Sequence, residues 1–113
     1  MTGISTHVLD TARGCAAAGV AVVLEIAEGE SWRILARTAT DADGRCPRLL
    51  PPDTLLARAT YRLTFATGRY FAGQGLASFH PEVAVVFAVI EPSQHHHVPL
   101  LLSPFGYTTY RGT

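Results

Sequence analysis

The segment "RATYRLTF" (residues 58–65) decides the class of fold, because apolar and polar side chains alternate along it. Tyr61, Leu63 and Phe65 fall on one face, and polar residues separate them. A period of two puts alternate side chains on opposite faces of a β-strand, whereas an amphipathic helix needs a period near 3.6. The segment is therefore predicted to be a strand with one buried face.

Similar patterns recur on both sides of this segment, with turn residues between them. Residues 83–90 are apolar on both faces, which predicts a strand covered by other layers. Short strands with regular turn punctuation are typical of an all-β sandwich. Besides residues 58–65, the predicted strands are residues 4–10, 20–27, 32–40, 83–90, 94–102 and 105–111.

The connections between these strands carry residues typical of turns and loops. Residues 28–31 have the form of a hairpin connection, and "TDADGR" (residues 40–45) is a turn rich in Asp and Gly. Residues 11–19 are predicted to be a loop, and paired prolines make residues 46–55 irregular. "TGRYFAGQG" (residues 67–75) is the one segment in which a short helix is expected.

Composition bounds the class of protein. The 113 residues are 48% hydrophobic and predict a single domain, residues 1–113. Nine basic and nine acidic residues give a net charge of zero, which offers no electrostatic reason to expect nucleic acid or an anionic membrane as partner. No signal peptide, membrane span or disulfide framework is predicted. A cytoplasmic location is the default expectation.

The histidine run "QHHHVPLLLSP" (residues 94–104) is the densest chemical signal. Strand alternation puts His95 and His97 on one face and turns His96 away from them. Two imidazoles form a weak metal site, and the chain has no Cys-x-x-Cys or His-Glu-x-x-His partner motif. Two other interpretations of the run remain open. It is either an exposed polar strand end or a site of acid–base chemistry near neutral pH.

Spacing alone does not decide the roles of two further residues, Arg45 and His7. Asp41–Gly44 resembles the start of a calcium loop, but Arg45 and Pro52 occupy positions that should supply oxygen ligands, so calcium is excluded. Arg45 at the end of this turn is either a solvated side chain or a functional cation. His7 lies within a predicted strand, where a lone histidine is more often structural than catalytic.

Four segments together resemble the transthyretin-related family, and within it the 5-hydroxyisourate hydrolases. The resemblance covers nearly the whole chain, and the C-terminal motif is highly specific. It implies a transthyretin-like sandwich of two four-stranded sheets with one short helix. The segments are "STHVLDTARGCAA" (residues 5–17), "TDADGRC" (residues 40–46), "HVPLLLSPFGYTTY" (residues 97–110) and the terminal "YRGT" (residues 110–113).

The resemblance also implies an enzyme and its site. His7, Arg45 and His97 match the catalytic positions, with the arginine holding substrate and stabilising charge while the histidines manage water and protons. Which histidine is the base stays open. A second group of positions matches the residues expected to line the substrate pocket: Tyr110, Arg111, Gly112 and Thr113. Arg111 is equally compatible with a structural anchor.

Two positions depart from the family pattern. Thr113 stands where serine is usual, and it keeps the hydroxyl group. His96 stands where tyrosine is common, and we expect it to be a bystander because it should point away from His97. Neither departure places the catalytic positions in doubt.

The implied reaction is hydrolysis of 5-hydroxyisourate to 2-oxo-4-hydroxy-4-carboxy-5-ureidoimidazoline, on the route from urate to allantoin. Neither a metal ion nor an organic cofactor is expected. The expected partner is a second dimer of the same chain, since the implied assembly is a homotetramer with active sites at the dimer–dimer interface. The rival readings are a hormone-carrying transthyretin-like binding protein and a β-sandwich without chemistry. Presence of His7, Arg45 and His97, with a chain that stops at "YRGT", favours the hydrolase.

Overall fold

The computed structural model describes residues 3–113 and consists of two β-sheets packed face to face, with one short helix. The first sheet has the order β2-β1-β8-β9, with β5 also paired to β1, and the second has the order β4-β3-β6-β7. The strands are β1 (Gly3–Asp10), β2 (Cys15–Ala16), β3 (Ala21–Glu28), β4 (Ser31–Ala39), β5 (Arg45–Cys46), β6 (Ala59–Phe65), β7 (Val83–Val89), β8 (His95–Ser103) and β9 (Gly106–Thr109).

The prediction of a sandwich of two four-stranded sheets with one short helix is confirmed, with one addition. Each sheet is four strands wide, and β2 and β5 pair with different parts of the same edge of β1. Residues 15–16 were predicted to be loop, so that prediction is wrong for β2. A two-residue strand next to alanines and glycines has no alternating pattern by which it can be recognised.

The core lies between the sheets and is formed by the predicted apolar faces. Tyr61, Leu63 and Phe65 of β6 are at most 1% exposed, and they pack in one cluster with β3 residues such as Val22 and Leu24. The helix α1 (Thr67–Ala72) lies at the end of β6 and buries Phe71 in the same cluster. Alternation in the strands thus produces one continuous apolar layer.

The prediction that β7 is covered on both faces is wrong within the chain. Its exposure alternates, and Val86 on the outer face is 57% exposed. β7 pairs with β6 on one side only and is an edge strand of the second sheet. Burial within a single chain therefore does not account for the apolar side chains on the outer face of β7.

The turn predicted at residues 40–45 is confirmed except at its last residue, since Arg45 begins β5, and both cysteines are free thiols. Burial raises the pKa of the Cys46 thiol to about 11, and the carboxylate of Asp41 acts in the same direction. Within residues 3–113, no helix has both the length and the apolar character needed to cross a membrane.

Candidate active site

Strands β1, β5 and β8 bring the predicted catalytic residues to the outer face of the first sheet. His7 of β1 is paired with Arg45 of β5, and Ser5 of β1 is paired with His97 of β8. Directly paired residues point to the same side of a sheet. The inner side of β1 is occupied instead by core residues such as Ile4 and Val8.

A cavity of about 290 Å³ opens on this outer face. Such a volume is near the lower end of small-molecule sites, which span roughly 300–1,000 Å³. His7 is not in the cavity wall but lies beside it, because it is the register partner of Arg45. The wall is formed by Ser5, Thr6, Arg45, Pro47, His95, His97 and Thr113.

Arg45 is placed by the turn that precedes it. Oδ1 of Asp41 accepts hydrogen bonds from the backbone N–H groups of Asp43 and Arg45, both at 2.9 Å. Gly44 has a φ of 74°, and a Cβ atom there would lie 2.4 Å from the carbonyl oxygen of Val8. Glycine is therefore required for this turn to close against β1.

The imidazole of His97 is held on two of its edges. Its Nδ1 lies 2.7 Å from Oγ of Ser5. On another edge, a Cβ atom on Gly112 would lie 2.5 Å from Cδ2 of His97, so only glycine fits beside the ring. Burial lowers the pKa of His97 below its usual value, and nearby His7, His95 and Arg45 lower it further. A neutral His97 near pH 7 follows from this environment.

The histidine run divides as alternation predicts, and His96 points away from His97 into the interior. His95 and His97 both contact Oγ of Ser5 at 2.7 Å, which confirms their shared face. His96 is only 4% exposed, and its Nδ1 has no hydrogen-bond partner within residues 3–113. The ring continues the inward-facing row of Val98 and Leu100, so the interior of the sandwich covers it.

The four C-terminal positions do not share one location. Gly112 forms an antiparallel bridge with His97, its N–H donating to the carbonyl oxygen of His97 at 2.8 Å, and Thr113 reaches the cavity wall. Tyr110 and Arg111 instead line a second cavity, beside β7 and His96. Arg111 donates a hydrogen bond to Oε1 of Gln94 at 3.0 Å, which is the geometry of an anchor.

The interruption between β9 and this bridge has a simple cause. Thr109 is paired with Leu100, and the bridge of Gly112 with His97 continues the same register three residues further on. Pro99 lies between, and a proline has no N–H to donate to the ladder. The predicted strand at residues 105–111 is therefore shorter, Gly106–Thr109.

Sequence reasoning missed Ser5 and Pro47 and left His95 without a role. Ser5 lies two residues before His7 in the predicted strand at residues 4–10, and this spacing, which puts both side chains on one face, was the available signal. Its contacts to His95 and His97 span 90 and 92 residues of sequence. A local sequence pattern cannot indicate a contact between residues so far apart in the sequence.

The arrangement supplies two imidazoles, a guanidinium and Thr113 within one region, which is a donor set for acid–base work on a small anionic or carbonyl-rich molecule. Within the described residues 3–113, no group of three or more His, Cys, Asp or Glu side chains is placed to hold a metal ion.

Comparison with known proteins gives consistent matches over nearly the full chain. The HIUase/Transthyretin family profile matches residues 4–112. The 5-hydroxyisourate hydrolase of Mus musculus is 47% identical over 112 residues, covering 97% of this chain and 94% of that protein.

Two solved structures have the same fold. The 5-hydroxyisourate hydrolase of Klebsiella pneumoniae superposes with a TM-score of 0.87 at 38% identity, with 100% of both chains covered. Sea bream transthyretin in complex with thyroxine superposes with a TM-score of 0.90 at 32% identity, covering 97% of this chain and 94% of that one. The fold is thus shared by a hydrolase and a thyroxine-binding protein.

Proposed function

Because the chain belongs to the HIUase/transthyretin family, we propose that it hydrolyses 5-hydroxyisourate in urate degradation and forms 2-oxo-4-hydroxy-4-carboxy-5-ureidoimidazoline. The protein is a hydrolase, as are its relatives from Mus musculus and Klebsiella pneumoniae. The observation that carries the proposed reaction is the single cavity lined by Arg45, His97 and Thr113, with His7 beside it.

The reaction has three physical requirements. A base must take a proton from water, a donor or cation must stabilise the oxyanion that forms on the ring carbonyl, and the leaving ring nitrogen must gain a proton. Imidazole is the side chain best suited to move protons near neutral pH, and His7 and His97 supply it here. Arg45 remains charged and presents a planar fork of donors to carbonyl oxygens.

In the first step, water loses a proton to an imidazole while its oxygen adds to the carbonyl carbon. The oxyanion that results lies against Arg45. In the second step, the C–N bond breaks, the oxyanion reforms a carbonyl as part of a carboxylic acid, and the proton on the imidazole passes to the nitrogen. The carboxylic acid then releases its own proton to solvent and becomes a carboxylate. One water is consumed, no electron is transferred, and the chemistry requires no cofactor.

The assembly is part of the proposal. The cavity lies on the outer surface of a sheet and Arg45 is exposed within the single chain. Exclusion of water strengthens electrostatic stabilisation, so an exposed cation is more effective when another surface covers it. A homotetramer in which the outer faces of two dimers meet would provide this cover.

The test is to follow the ultraviolet absorbance of freshly generated 5-hydroxyisourate with and without the protein. We expect the protein to accelerate the decay, and His97→Ala to lower turnover by ~10²-fold or more, since loss of an acid–base group or an oxyanion donor has effects of this size.

The same assay in the presence of a metal chelator should give unchanged rates. Decay at the spontaneous rate with folded wild-type protein would exclude the hydrolase, and thyroxine binding without turnover would identify a carrier. Activity lost to the chelator and restored by zinc would require a metal in the mechanism.

A further inference from the structure

The hydroxyl group of Ser5 lies between two imidazoles. Its Oγ is 2.7 Å from Nε2 of His95 and 2.7 Å from Nδ1 of His97. A serine hydroxyl has one proton to donate, and a neutral imidazole has one N–H and one bare nitrogen. When the hydroxyl donates to one ring, the other ring must donate to the hydroxyl. One ring therefore donates to Ser5 and the other accepts from it. Which ring donates has to be assigned from the surroundings of the two rings.

The direction is set by the far nitrogen of His95. Nδ1 of His95 is buried and has no hydrogen-bond partner within residues 3–113. It lies against the backbone of Gly3, where an added Cβ atom would be 3.6 Å away. Buried N–H groups without a partner are rarer than under-satisfied acceptors, so the proton of His95 belongs on Nε2. Nε2–H of His95 then donates to Ser5, and Ser5 donates to Nδ1 of His97.

Because Nδ1 of His97 accepts the hydrogen bond from Ser5, the proton of the neutral His97 ring lies on Nε2. That atom makes no hydrogen bond to residues 3–113 and is not among their buried unpartnered atoms, so it is accessible, and His97 lines the cavity. Ser5 occupies the Nδ1 edge of the ring, and Gly112 lies against Cδ2. Burial lowers the pKa of His97, and nearby His7, His95 and Arg45 act in the same direction, which favours the neutral ring. His97 thus offers an N–H group to whatever lies in the cavity.

His7 has the complementary arrangement. Its Nε2 lies 2.9 Å from the carbonyl oxygen of Asp43. A carbonyl oxygen only accepts hydrogen bonds, so Nε2 of His7 carries the proton. In the neutral ring, Nδ1 is then bare and able to accept a proton.

We propose that Ser5 and His95 are positioning residues that hold His97 as the Nε2–H tautomer, so that His97 donates a hydrogen bond to the reacting carbonyl oxygen while His7 is the base. The inference rests on the proposed hydrolysis and assigns its steps. Nδ1 of His7 takes a proton from water as the hydroxide oxygen bonds to the carbonyl carbon, and His97 and Arg45 stabilise the oxyanion. His7 then returns this proton to the ring nitrogen as the C–N bond breaks.

The first experiment compares variants of Ser5 in steady-state kinetics. Ser5→Ala removes the bridging hydroxyl, and we expect kcat to fall by about tenfold or more with little change in KM, as for other groups that orient a functional histidine. Ser5→Thr keeps a hydroxyl and should restore most of the activity. Ser103→Ala is the matched control, because within residues 3–113 this hydroxyl at the far end of β8 bonds only to the carbonyl oxygen of Gly106.

The second experiment needs no substrate. Nitrogen-15 spectra of histidine-labelled protein distinguish bare from protonated ring nitrogens, and variants of His7 and His97 assign the signals. We expect a bare Nδ1 and a protonated Nε2 for both rings, and a mixture of tautomers for His97 in Ser5→Ala. A protonated Nδ1 on His97, or Ser5→Ala with wild-type kcat, would overturn the assignment. Wild-type protein without turnover would instead refute the hydrolase, and the tautomers would still be measured.

Discussion

Gly112 is the residue through which the C-terminal segment touches the catalytic ring. An added Cβ atom would lie 2.5 Å from Cδ2 of His97 and 3.3 Å from Cγ of Pro99. Both neighbours are held in β8, so either the imidazole or the chain end must move. One methyl group at this position therefore tests whether the placement of His97 matters for turnover.

We predict that Gly112→Ala lowers kcat/KM by roughly tenfold or more, because small displacements of a reacting group have effects of this size or larger. Thermal unfolding should change little, since Gly112 lies outside the named strands and is joined to β8 by an isolated bridge to His97. Gly73→Ala is the control, because Gly73 has a helical φ of −63° and its nearest contact is 3.5 Å. Equal activity in the two variants would show that the C-terminal contact is dispensable.

His96 is a buried histidine whose environment opposes its charge. Burial lowers its pKa below the usual value, and the charge of Arg111 contributes in the same direction. The unfolded chain therefore binds a proton at higher pH than the folded chain. The free energy of unfolding is highest above the ordinary histidine pKa of about 6.5, and it decreases as pH falls through the lower folded value.

We predict that His96→Phe flattens the loss of stability between pH 7 and pH 5. The variant should also be more stable at pH 7 by about 1 kcal/mol, because the unpartnered Nδ1 is removed from the interior. Urea unfolding at several pH values measures both effects. Part of the slope should remain from His97, whose pKa is also lowered. A slope as steep as that of the wild type would show that His96 does not govern it.

Among the elements, the turn at residues 41–44 links the core to the site. It holds Arg45 through Oδ1 of Asp41, and the carbonyl oxygen of Asp43 accepts the hydrogen bond from His7. The backbone N–H of Val8 also donates to the carbonyl oxygen of Gly44 at 2.7 Å. One turn therefore positions the cation and orients the proposed base.

Asp41→Ala should lower both stability and activity. Two backbone N–H groups lose their acceptor, which we expect to cost about 1–2 kcal/mol, and kcat/KM should fall because Arg45 and His7 both shift. Asp41→Asn keeps an oxygen acceptor at the same position and is expected to retain most of both properties. Chemical unfolding and the decay assay are the measurements. Equal behaviour of the two variants would implicate the negative charge of Asp41 instead of the hydrogen bonds.

For the whole molecule, the outer face of β7 is the feature that a single chain leaves unexplained. Val86 is 57% exposed and Ile90, just beyond the strand, is 61% exposed. An exposed apolar edge strand promotes association, and proteins usually cover or charge such an edge. The proposed homotetramer offers a cover.

We predict that Val86→Arg lowers the mass of the assembly in sedimentation experiments, because a buried unpaired charge opposes association. Thr38→Arg, on the exposed edge strand β4 of the same sheet, is the control and should leave the mass unchanged. An unchanged mass for Val86→Arg would show that this face is not part of the interface, and a monomeric wild type would refute the tetramer itself.

Most of the fold was predictable because apolar and polar side chains alternate within each long strand. That pattern can be seen in the few residues of the strand itself. The rows of Val22 and Leu24 in β3 and of Tyr61 and Leu63 in β6 carry the full signal of a half-buried strand in eight residues or fewer. The β2 and β5 strands were not predictable, because two residues form a strand only where β1 provides an edge. The exposure of β7 was also misjudged, because composition alone does not show which partner covers an apolar face.

The sequence by itself determined the alternating strands, the glycine-dependent turn before Arg45 and the motifs that nominate His7, Arg45 and His97. Only the tertiary structure decided that Ser5 lies between His95 and His97, that His96 is buried, and that Thr113 reaches the cavity while Arg111 does not. The reason is the separation in sequence over which each kind of signal acts. Periodicity and turn chemistry are local properties, whereas a hydrogen bond across about 90 residues depends on the parallel register of β1 with β8.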